Sequence, residues 1–294
     1  MNERAALDVL STIVPHAGDD AAVVDGHVLT TDMLHETTDF PDGTTRYTAG
    51  WRAVGASLSD VAAMGAEAVA AVAVYAAPAL VEREVTAFVE GATDVCEAVG
   101  AAYVGGDLDQ HDEFTVVSTV LGRTDAPVFR SGAQPGEVVC VTGTLGRTPA
   151  AIRLFECDEH ERANALFRFD PRVATGLALG PYASAMMDSS DGLARSLHQL
   201  AAASGCGFAI EEERLPVDET VDELATDPDE RREWATAFGE DFELVFTVPR
   251  DALPAVRSAV QPSVSVLGEV TDAADGVRMD GESLSDRGYT HGGR

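Results

Sequence analysis

Residues 50–65 read GWRAVGASLSDVAAMG, and this stretch gives the clearest indication of the fold. Apolar residues recur along it at steps of three, four and three, namely Trp51, Val54, Leu58 and Val61. This spacing places side chains on one face of a helix. The adjacent face carries small residues and one carboxylate, Asp60, which is costly to bury unless it is paired or bound to a metal ion. The stretch therefore predicts a buried helix that presents a functional acid.

The neighbouring segments predict alternating strands and helices. Before the helix, residues 17–32 predict two short strands joined by Asp25-Gly26, because this dipeptide between β-branched residues is a strong hairpin signal. After the helix, the pattern predicts a strand at 69–75, a helix at 81–99, and a long hairpin of strands at 101–106 and 114–122. The first half is therefore predicted to hold a sheet with helices packed on it.

Residues 130–137, RSGAQPGE, combine glycine and proline with polar residues and predict a domain boundary. We therefore divide the chain into domains at 1–135 and 136–294. The second half predicts strands at 138–142 and 185–187, helices near 148–155 and 170–179, a helix that starts within 189–205, and a final helix and strand. Ser189, Ser190 or Asp191 is the expected N-cap of the helix within 189–205. Strands alternating with helices predict an α/β fold.

Acidic residues dominate the charge of the chain, with 50 Asp and Glu against 20 Lys and Arg, a formal net charge of -30. One interpretation is recruitment of a basic partner, and the other is a surface adapted to molar salt, where the Debye length falls to about 3 Å. The acids are spread along the whole chain, which favours salt adaptation and resembles proteins of salt-accumulating halophiles. Nucleic acid is not an expected partner, because there is no basic patch to neutralise its phosphates.

The chain contains no lysine at all. A Walker P-loop and a protein-kinase site each place a lysine on the nucleotide phosphates, so both kinds of site are excluded. If the protein uses ATP, metal ions and arginine must supply the positive charge.

The cysteines and the amino terminus exclude further classes of protein. Four cysteines lie far apart without a CxxC pair, so neither a zinc site nor a disulfide framework is indicated. Residues 1–10 are charged from the start, and the longest apolar run, 68–81, is shorter than the about 20 residues that a bilayer requires. We therefore expect a cytoplasmic protein without a membrane partner.

Several aspartates border predicted strand ends or helix starts in apolar company: Asp19, Asp20, Asp32, Asp60, Asp107, Asp188 and Asp191. Taken singly, most suit a turn, a loop or a helix cap. Together they suit Mg²⁺, which prefers oxygen ligands and is held by a few carboxylates with phosphates and water. Thr30 and Thr31 beside Asp32 add hydroxyl or backbone oxygens. No EF-hand loop and no GxSxG motif is present, which disfavours a calcium loop and a serine hydrolase.

Seven segments in this order resemble the thiamine-monophosphate kinase family, of the aminoimidazole ribonucleotide synthetase superfamily. They are GDDAAVV (18–24), TTDMLHETTDF (30–40), GWRAVGASLSDVAAMGAE (50–67), GGDLD (105–109), RSGAQPGE (130–137), MDSSDGLARSLHQLAAASG (187–205) and GEDFELVFTVP (239–249). A single GGD motif would not identify a family, but seven segments in the same order are highly specific for this one. The resemblance extends from about residue 17 to the end of the chain.

The resemblance implies a two-domain α/β (α+β) fold and a homodimer in which the amino-terminal domains pair into a β-barrel. Residues 1–135 would bind metal and ATP and form the dimer, and residues 136–294 would form an α/β domain. The implied reaction is phosphorylation of thiamine monophosphate by ATP with several Mg²⁺ ions, giving thiamine diphosphate. In-line attack by a phosphate oxygen needs no general base, because a phosphate monoester is already largely dianionic at neutral pH.

The resemblance also implies site residues. Metal ligands would be Asp20, Thr30, Thr31, Asp32, Asp60, Asp107, Asp188 and Asp191, among which Asp32, Asp60 and Asp188 form the predicted catalytic centre. The predicted nucleotide contacts are Gly106, Asp107, Arg130 and Ser190. Glu240 and Tyr289 match positions on the thiamine side, and Asp39 stands where the family usually has a histidine that contacts the substrate phosphate. Asp39 could take over that contact only through a metal ion or a proton.

Two alternatives stay open at this point. One is another ATP-using member of the superfamily, such as aminoimidazole ribonucleotide synthetase. Its hydrogenase-maturation and selenophosphate members are disfavoured, since the chain ends in HGGR without a terminal cysteine and has no cysteine before Cys96. The other alternative is an inert acidic protein that buffers metal ions, which would have no need of Arg130 or of the SSDGL segment at 189–193.

Overall fold

A computed structural model of the chain describes residue 10, residues 13–14 and residues 17–289. These residues form two sheets with helices, and apolar side chains from both halves share the largest hydrophobic core. The predicted α/β class is therefore confirmed. The outer ends of the predicted domains, at residues 1 and 294, lie outside the described residues.

The first sheet has five strands in the spatial order β1-β2-β5-β3-β4. They are β1 (Ala22–Val24), β2 (His27–His35), β3 (Glu67–Ala77), β4 (Ala102–Gln110) and β5 (Thr115–Arg123). The hairpin predicted at Asp25-Gly26 is confirmed, because Val24 pairs with His27 across an antiparallel turn. Asp25 and Gly26 have φ angles of 50° and 77°, as a tight hairpin turn requires.

The hairpin predicted for 101–106 and 114–122 is wrong. Both segments are strands, but β4 pairs in parallel with β3, while β5 lies between β2 and β3. A helix connects β3 to β4, as a parallel pair requires. β5 mostly alternates buried and half-buried residues, whereas β4 is mostly exposed and carries the polar residues Asp107, Asp109 and Gln110 at its end. The polar strand therefore takes the edge and the apolar strand takes the centre.

Ten α-helices cover the sheets in the described part of the chain. They are α1 (Glu36–Asp39), α2 (Arg46–Ala63), α3 (Glu82–Ala98), α4 (Arg147–Glu156), α5 (His160–Phe167), α6 (Val173–Leu179), α7 (Leu193–Ser204), α8 (Glu219–Leu224), α9 (Pro228–Glu233) and α10 (Leu253–Ala259). α2 covers residues 50–63 of the helix predicted at 50–65 and begins four residues earlier. It packs against the first sheet, α3 and α6. It is buried on nearly every side, which explains why small residues separate its apolar ones.

Two glycines let α2 and α3 cross at close range. A Cβ atom on Gly50 would lie 2.1 Å from the carbonyl oxygen of Phe88, and one on Gly91 would lie 2.0 Å from that of Tyr47. Larger residues would push the helices apart. The crossing therefore fixes the position of α2 and of the acid that it carries.

The second sheet has seven strands in the order β12-β11-β8-β10-β6-β9-β7. They are β6 (Val138–Thr142), β7 (Ala185–Asp188), β8 (Cys206–Ile210), β9 (Leu244–Val248), β10 (Val264–Asp272), β11 (Val277–Met279) and β12 (Glu282–Ser283). The predicted side-chain cap of α7 is wrong. Gly192 is its N-cap, with φ of 98° and no side-chain cap bond. The Ser190 hydroxyl donates instead to Asp188 at the end of β7, so it is not available to cap the helix.

The first sheet is open in the single chain and leaves one face uncovered. Large apolar side chains on β2, β3 and β4 are exposed there: Leu29, Met33, Val72, Val74 and Val104. A second chain would be needed to close a barrel over this face, so the dimeric barrel stays a prediction. In the described part of the chain, no helix has the length and apolar character that a membrane span requires.

Candidate active site

Three aspartates from different parts of the chain meet near the contact between α2 and β7. Asp20 precedes β1, Asp60 lies on α2, and Asp188 ends β7. One carboxylate oxygen of each lies within 4.8 Å of the others. Close approach of three acids to one point is the arrangement in which a bound cation is expected. We call Asp20, Asp60 and Asp188 the carboxylate cluster.

Neighbouring hydroxyl groups hold two of the three carboxylates in place. Thr30 Oγ1 donates to Asp60 Oδ2 at 2.5 Å. Ser59 Oγ donates to Asp188 Oδ2 at 2.7 Å, and Ser190 Oγ donates to Asp188 Oδ1 at 2.6 Å. These donors fix the direction of each carboxylate without supplying a positive charge.

One arginine supplies a positive charge to the carboxylate cluster. Arg130 donates from Nη2 to Asp20 Oδ1 at 3.0 Å and from Nε to Oδ2 at 3.2 Å. The side chain of Asp20 is only 1% exposed, so this bidentate pair is well shielded from water. Asp60 and Asp188 have hydroxyl partners and each other as neighbours, so the cluster keeps an excess of negative charge.

The electrostatics of the cluster favour a cation. Burial raises the pKa of Asp188 to about 6, and the charge of Asp20 adds to this effect. Burial also raises the pKa of Asp60 well above its ordinary value, and the neighbouring carboxylates raise it further. Desolvation and like charges thus both oppose ionisation. A divalent ion would reverse that effect, because it stabilises the ionised form of each ligand.

Asp32 lies on β2 beside the cluster. The neighbouring Thr31 points to the opposite face of the sheet. Ser57 Oγ donates to Asp32 Oδ2 at 2.5 Å, and burial raises the pKa of Asp32. Thr31 is exposed, and its hydroxyl donates to the carbonyl oxygen of Ser118 at 2.8 Å. Successive side chains of a strand point to opposite faces, so Thr30 and Asp32 face α2 while Thr31 faces away.

Gly106 and Asp107 lie far from the cluster within one chain. Asp32 pairs with Ser118 on β5, Ser118 pairs with Ala73 on β3, and Ala73 pairs with Gly106 on β4. Three strand spacings separate Gly106 from Asp32, about 14 Å. Packing alone explains why residue 106 is glycine, since a Cβ atom there would lie 1.7 Å from the carbonyl oxygen of Ala73. The predicted nucleotide contacts therefore do not all meet in one chain.

Two adjoining cavities open next to the cluster. One, of about 560 Å³, is lined by Asp32, Ser190 and Asp191, and the other, of about 570 Å³, is lined by residues of α1 and α4. Asp39, Glu240 and Tyr289 line both cavities. The three predicted substrate residues are therefore brought together at the junction, and Asp191 lies beside them.

Asp39 has a structural role in addition to its place in the cavity wall. Its Oδ2 accepts the backbone N–H of His35 at 2.7 Å and the hydroxyl of Thr38 at 2.7 Å. These bonds close the single turn α1 from its own last residue. The aspartate at this position is therefore explained locally, by capping of the turn.

Sequence reasoning missed the polar residues that hold the acids. Arg52 on α2 donates from Nη2 to Glu240 Oε2 at 2.7 Å. Ser57 and Ser59 support Asp32 and Asp188. The sequence carried a signal for all three, since they are polar residues in a helix made mostly of apolar and small ones. Their partners could not be found from the sequence, because they lie on other elements.

Comparison with known proteins agrees with this architecture. Residues 18–124 match the family described as AIR synthase related protein, N-terminal domain, and residues 134–280 match its C-terminal domain. The chain is 62% identical over 291 residues to thiamine-monophosphate kinase of Halobacterium salinarum, covering 99% of this chain and 100% of that protein. It is 38% identical over 296 residues to thiamine-monophosphate kinase of Methanospirillum hungatei, covering 97% and 98%.

A solved structure described as AaThiL complexed with AMPPCP and TMP resembles the whole chain. Its TM-score is 0.88 at 28% sequence identity, over 99% of this chain and 97% of that one. The two-domain class of the fold is thereby confirmed, while the boundary at 135 and 136 stays a prediction. Carboxylate cluster, adjoining cavities and full-length similarity lead to one conclusion: the chain belongs to the thiamine-monophosphate kinase family, among the AIR synthase related proteins.

Proposed function

We propose that this chain transfers the γ-phosphoryl group of ATP to thiamine monophosphate and forms thiamine diphosphate. The observation that carries the proposal is the carboxylate cluster beside two cavities that share Asp39, Glu240 and Tyr289. The similarity to AaThiL, which is described as complexed with AMPPCP and TMP, supports the same pair of substrates.

Mg²⁺ fits the donors that the chain provides. Carboxylate oxygens with raised pKa values and a threonine hydroxyl form a hard oxygen set with too little positive charge of its own. The residues that would hold the ions are Asp20, Thr30, Asp32, Asp60 and Asp188. When bound, Mg²⁺ would neutralise the phosphate groups that the two substrates bring together.

The protein's own side chains would act by binding and orientation. Tyr289, Glu240 and Asp39 would hold the thiamine part of the acceptor at the junction of the cavities. Its phosphate would then point towards the cluster. The acceptor oxygen is already ionised at neutral pH, so a site without lysine or a poised histidine is sufficient.

A homodimer would complete the nucleotide site. Gly106 and Asp107 lie on the edge strand β4, and Asp107 shares a row of the first sheet with the exposed side chains of Met33 and Val74. A second copy seated on this face would cover the apolar side chains. It would also bring Asp107 to an interface, and this explains how a predicted ligand can lie about 14 Å from Asp32 in one chain.

An acceptor assay tests the proposal. Purified protein is incubated with ATP and Mg²⁺ and with either thiamine monophosphate or thiamine, and the products are identified by mass spectrometry. We expect thiamine diphosphate from the monophosphate and no product from thiamine, because the alcohol of thiamine must lose a proton on attack, whereas the monophosphate offers an oxygen that is already ionised. Equal turnover of the two acceptors would contradict the proposal. Consumption of formylglycinamidine ribonucleotide instead would assign the chain to the synthetase branch.

A further inference from the structure

A buried arginine connects the helix of the carboxylate cluster to the turn that lines the cavities. Arg52 lies on α2, two turns before Asp60, and is only 2% exposed. Its Nη1 donates to the carbonyl oxygen of Phe167 at 2.9 Å, and its Nη2 donates to Glu240 Oε2 at 2.7 Å. The guanidinium also lies 3.7 Å from the centre of the Phe167 ring. The group is thus held in one plane by stacking and in one direction by hydrogen bonds.

The backbone of Glu240 is held in a conformation that is unfavourable for a residue with a side chain. Its φ angle is 60°, in the left-handed region that is uncommon for residues other than glycine. Its N–H donates to the carbonyl oxygen of Ser190 at 2.7 Å, and its own carbonyl oxygen accepts the hydroxyl of Thr148 at 2.7 Å. The backbone of Glu240 is therefore fixed, and Arg52 is the group that sets the direction of its side chain.

The charges around Glu240 explain why this direction needs a cation. Burial lowers the pKa of Arg52, while the charges of Glu240, Asp241 and Asp39 oppose that shift. The arginine therefore sits among three acids. Without it, Glu240 would lose its partner beside two other acids, so its carboxylate would turn towards solvent.

We propose that Arg52 is a positioning residue for the acceptor, because it holds the Glu240 carboxylate at the junction of the two cavities where the thiamine part of the substrate would bind. The inference rests on the proposed function and deepens it. Arg52 is too deeply buried to touch the substrate itself, so it acts through Glu240. Its effect should fall on binding of thiamine monophosphate and leave the ATP side unchanged.

The chain offers a matched control in the same turn. Arg172 donates from Nε to Glu243 Oε2 at 2.8 Å, and Glu243 is only 1% exposed. This ion pair is buried like that of Arg52 and Glu240, but neither of its members lines the two cavities. Loss of Arg172 therefore reports what a broken buried ion pair does to the fold, without an effect on the position of Glu240.

The test compares Arg52→Gln and Arg52→Lys with Arg172→Gln and Arg172→Lys, in molar salt with folding checked by circular dichroism. Both Arg52 variants should raise KM for thiamine monophosphate about tenfold or more, with kcat and the KM for ATP within about twofold of the wild type. Lysine should not rescue, because one ammonium group cannot reproduce a planar fork stacked on Phe167. The Arg172 variants should lower the melting temperature and leave both KM values unchanged.

A double variant tests whether Arg52 acts through Glu240. Arg52→Gln combined with Glu240→Gln should raise the KM for thiamine monophosphate no more than Glu240→Gln does alone. Additive effects, a folded Arg52 variant with a wild-type KM, or equal rises in both KM values would overturn the inference. If Arg52→Gln does not fold, Arg52→Lys gives the same readout.

Direct titration of thiamine monophosphate without ATP separates this inference from the proposed function. Normal binding by folded Arg52 variants would overturn the inference even if the wild type is an active kinase. A wild type that neither binds nor phosphorylates thiamine monophosphate would overturn the proposed function and this inference with it.

Discussion

The acidic turn at residues 239–243 and the carboxylate cluster contain the same kind of side chain, but they balance its charge in different ways. Each acid of the turn has a partner built into the fold. Glu240 pairs with Arg52, Asp241 accepts the N–H groups of Gly146 and Thr148 at the start of α4, and Glu243 pairs with Arg172. Arginine and helix amides therefore compensate the turn.

The cluster is compensated much less. Asp20 has Arg130, whereas Asp60 and Asp188 accept mainly hydroxyl groups. A raised pKa does not distinguish the two regions, because burial also raises the pKa of Asp241 in the turn to about 7. This difference shows how acids that bind metal can be separated from other acids in a very acidic chain. The number of acids and their burial do not distinguish the two kinds, but the groups that they are paired with do. Acids that are paired with arginine or backbone amides need no metal ion, and a group of acids with too little positive charge nearby favours a bound cation.

The largest effect is expected from the cluster. Asp60→Asn should lower kcat on the order of 1000-fold, because it removes a charged ligand from the site of phosphoryl transfer. The variant should remain folded in molar salt, as judged by circular dichroism. Asp125→Asn, in an exposed loop, is the control and should keep normal turnover. Near-normal turnover of Asp60→Asn would exclude the residue as a ligand.

Removing a charge from the turn should lower the stability of the folded protein. Glu243→Gln leaves Arg172 buried without its carboxylate and should cost about 3–5 kcal/mol in the free energy of unfolding. Glu269→Gln breaks an exposed pair with Arg250, at 3.3 Å, and should cost less than about 1 kcal/mol. Denaturant titration of both variants measures the contrast. Equal small losses would mean that the turn is not held by its ion pairs.

The cluster should make the metal-free protein less stable as the pH rises. Burial raises the pKa of Asp188 from 3.8 to about 6, so the folded state keeps a proton that the unfolded state releases. Its favourable contribution is complete below about pH 4 and is lost as the pH rises through 6. Asp188→Asn should therefore be more stable than the wild type at pH 8 in EDTA, by about 3 kcal/mol, with no advantage near pH 4.

A series of melting temperatures across pH 4–8, with Asp125→Asn as a variant whose difference from the wild type stays flat, measures this effect. A constant difference between Asp188→Asn and the wild type at every pH would show that desolvation of Asp188 does not destabilise the folded state.

Many of the helices and strands can be predicted from the sequence, because the patterns that determine them lie within short segments. Residues 50–65 predict α2 correctly, since apolar spacing within one helix determines which face is buried. The pairing of β4 with β5 was predicted wrongly, because both segments have strand character and the order of strands is decided by distant β2 and β3. Local patterns thus predict where the strands and helices lie, but they do not predict which strands pair in the sheet.

The same limit applies to the site. Asp20, Asp60 and Asp188 stood out as acids in apolar company, and the structure brings them together. Arg52 was missed because its partner, Glu240, is 188 residues away in sequence. The position of Asp107 on an edge strand was not readable either, because it depends on the order of the strands.

The smallest effect concerns the surface outside both regions. Lowering the salt from 1 M to 0.1 M lengthens the screening distance from about 3 Å to about 10 Å, so a chain of net charge -30 should repel itself more strongly. We expect the melting temperature to fall by a few degrees in the absence of ligands. A melting temperature that rises on removal of salt would contradict adaptation of this surface to salt.

The contrast between cluster and turn is tested most directly by the thermal shift that Mg²⁺ and a non-hydrolysable ATP analogue produce. Ligands that bind only the native state stabilise it by about 2.7 kcal/mol at one hundred times their dissociation constant. The wild type and Glu243→Gln should therefore gain melting temperature by similar amounts, and Asp60→Asn should gain almost nothing. A full shift in Asp60→Asn, or its loss in Glu243→Gln, would show that the metal site does not lie at the carboxylate cluster.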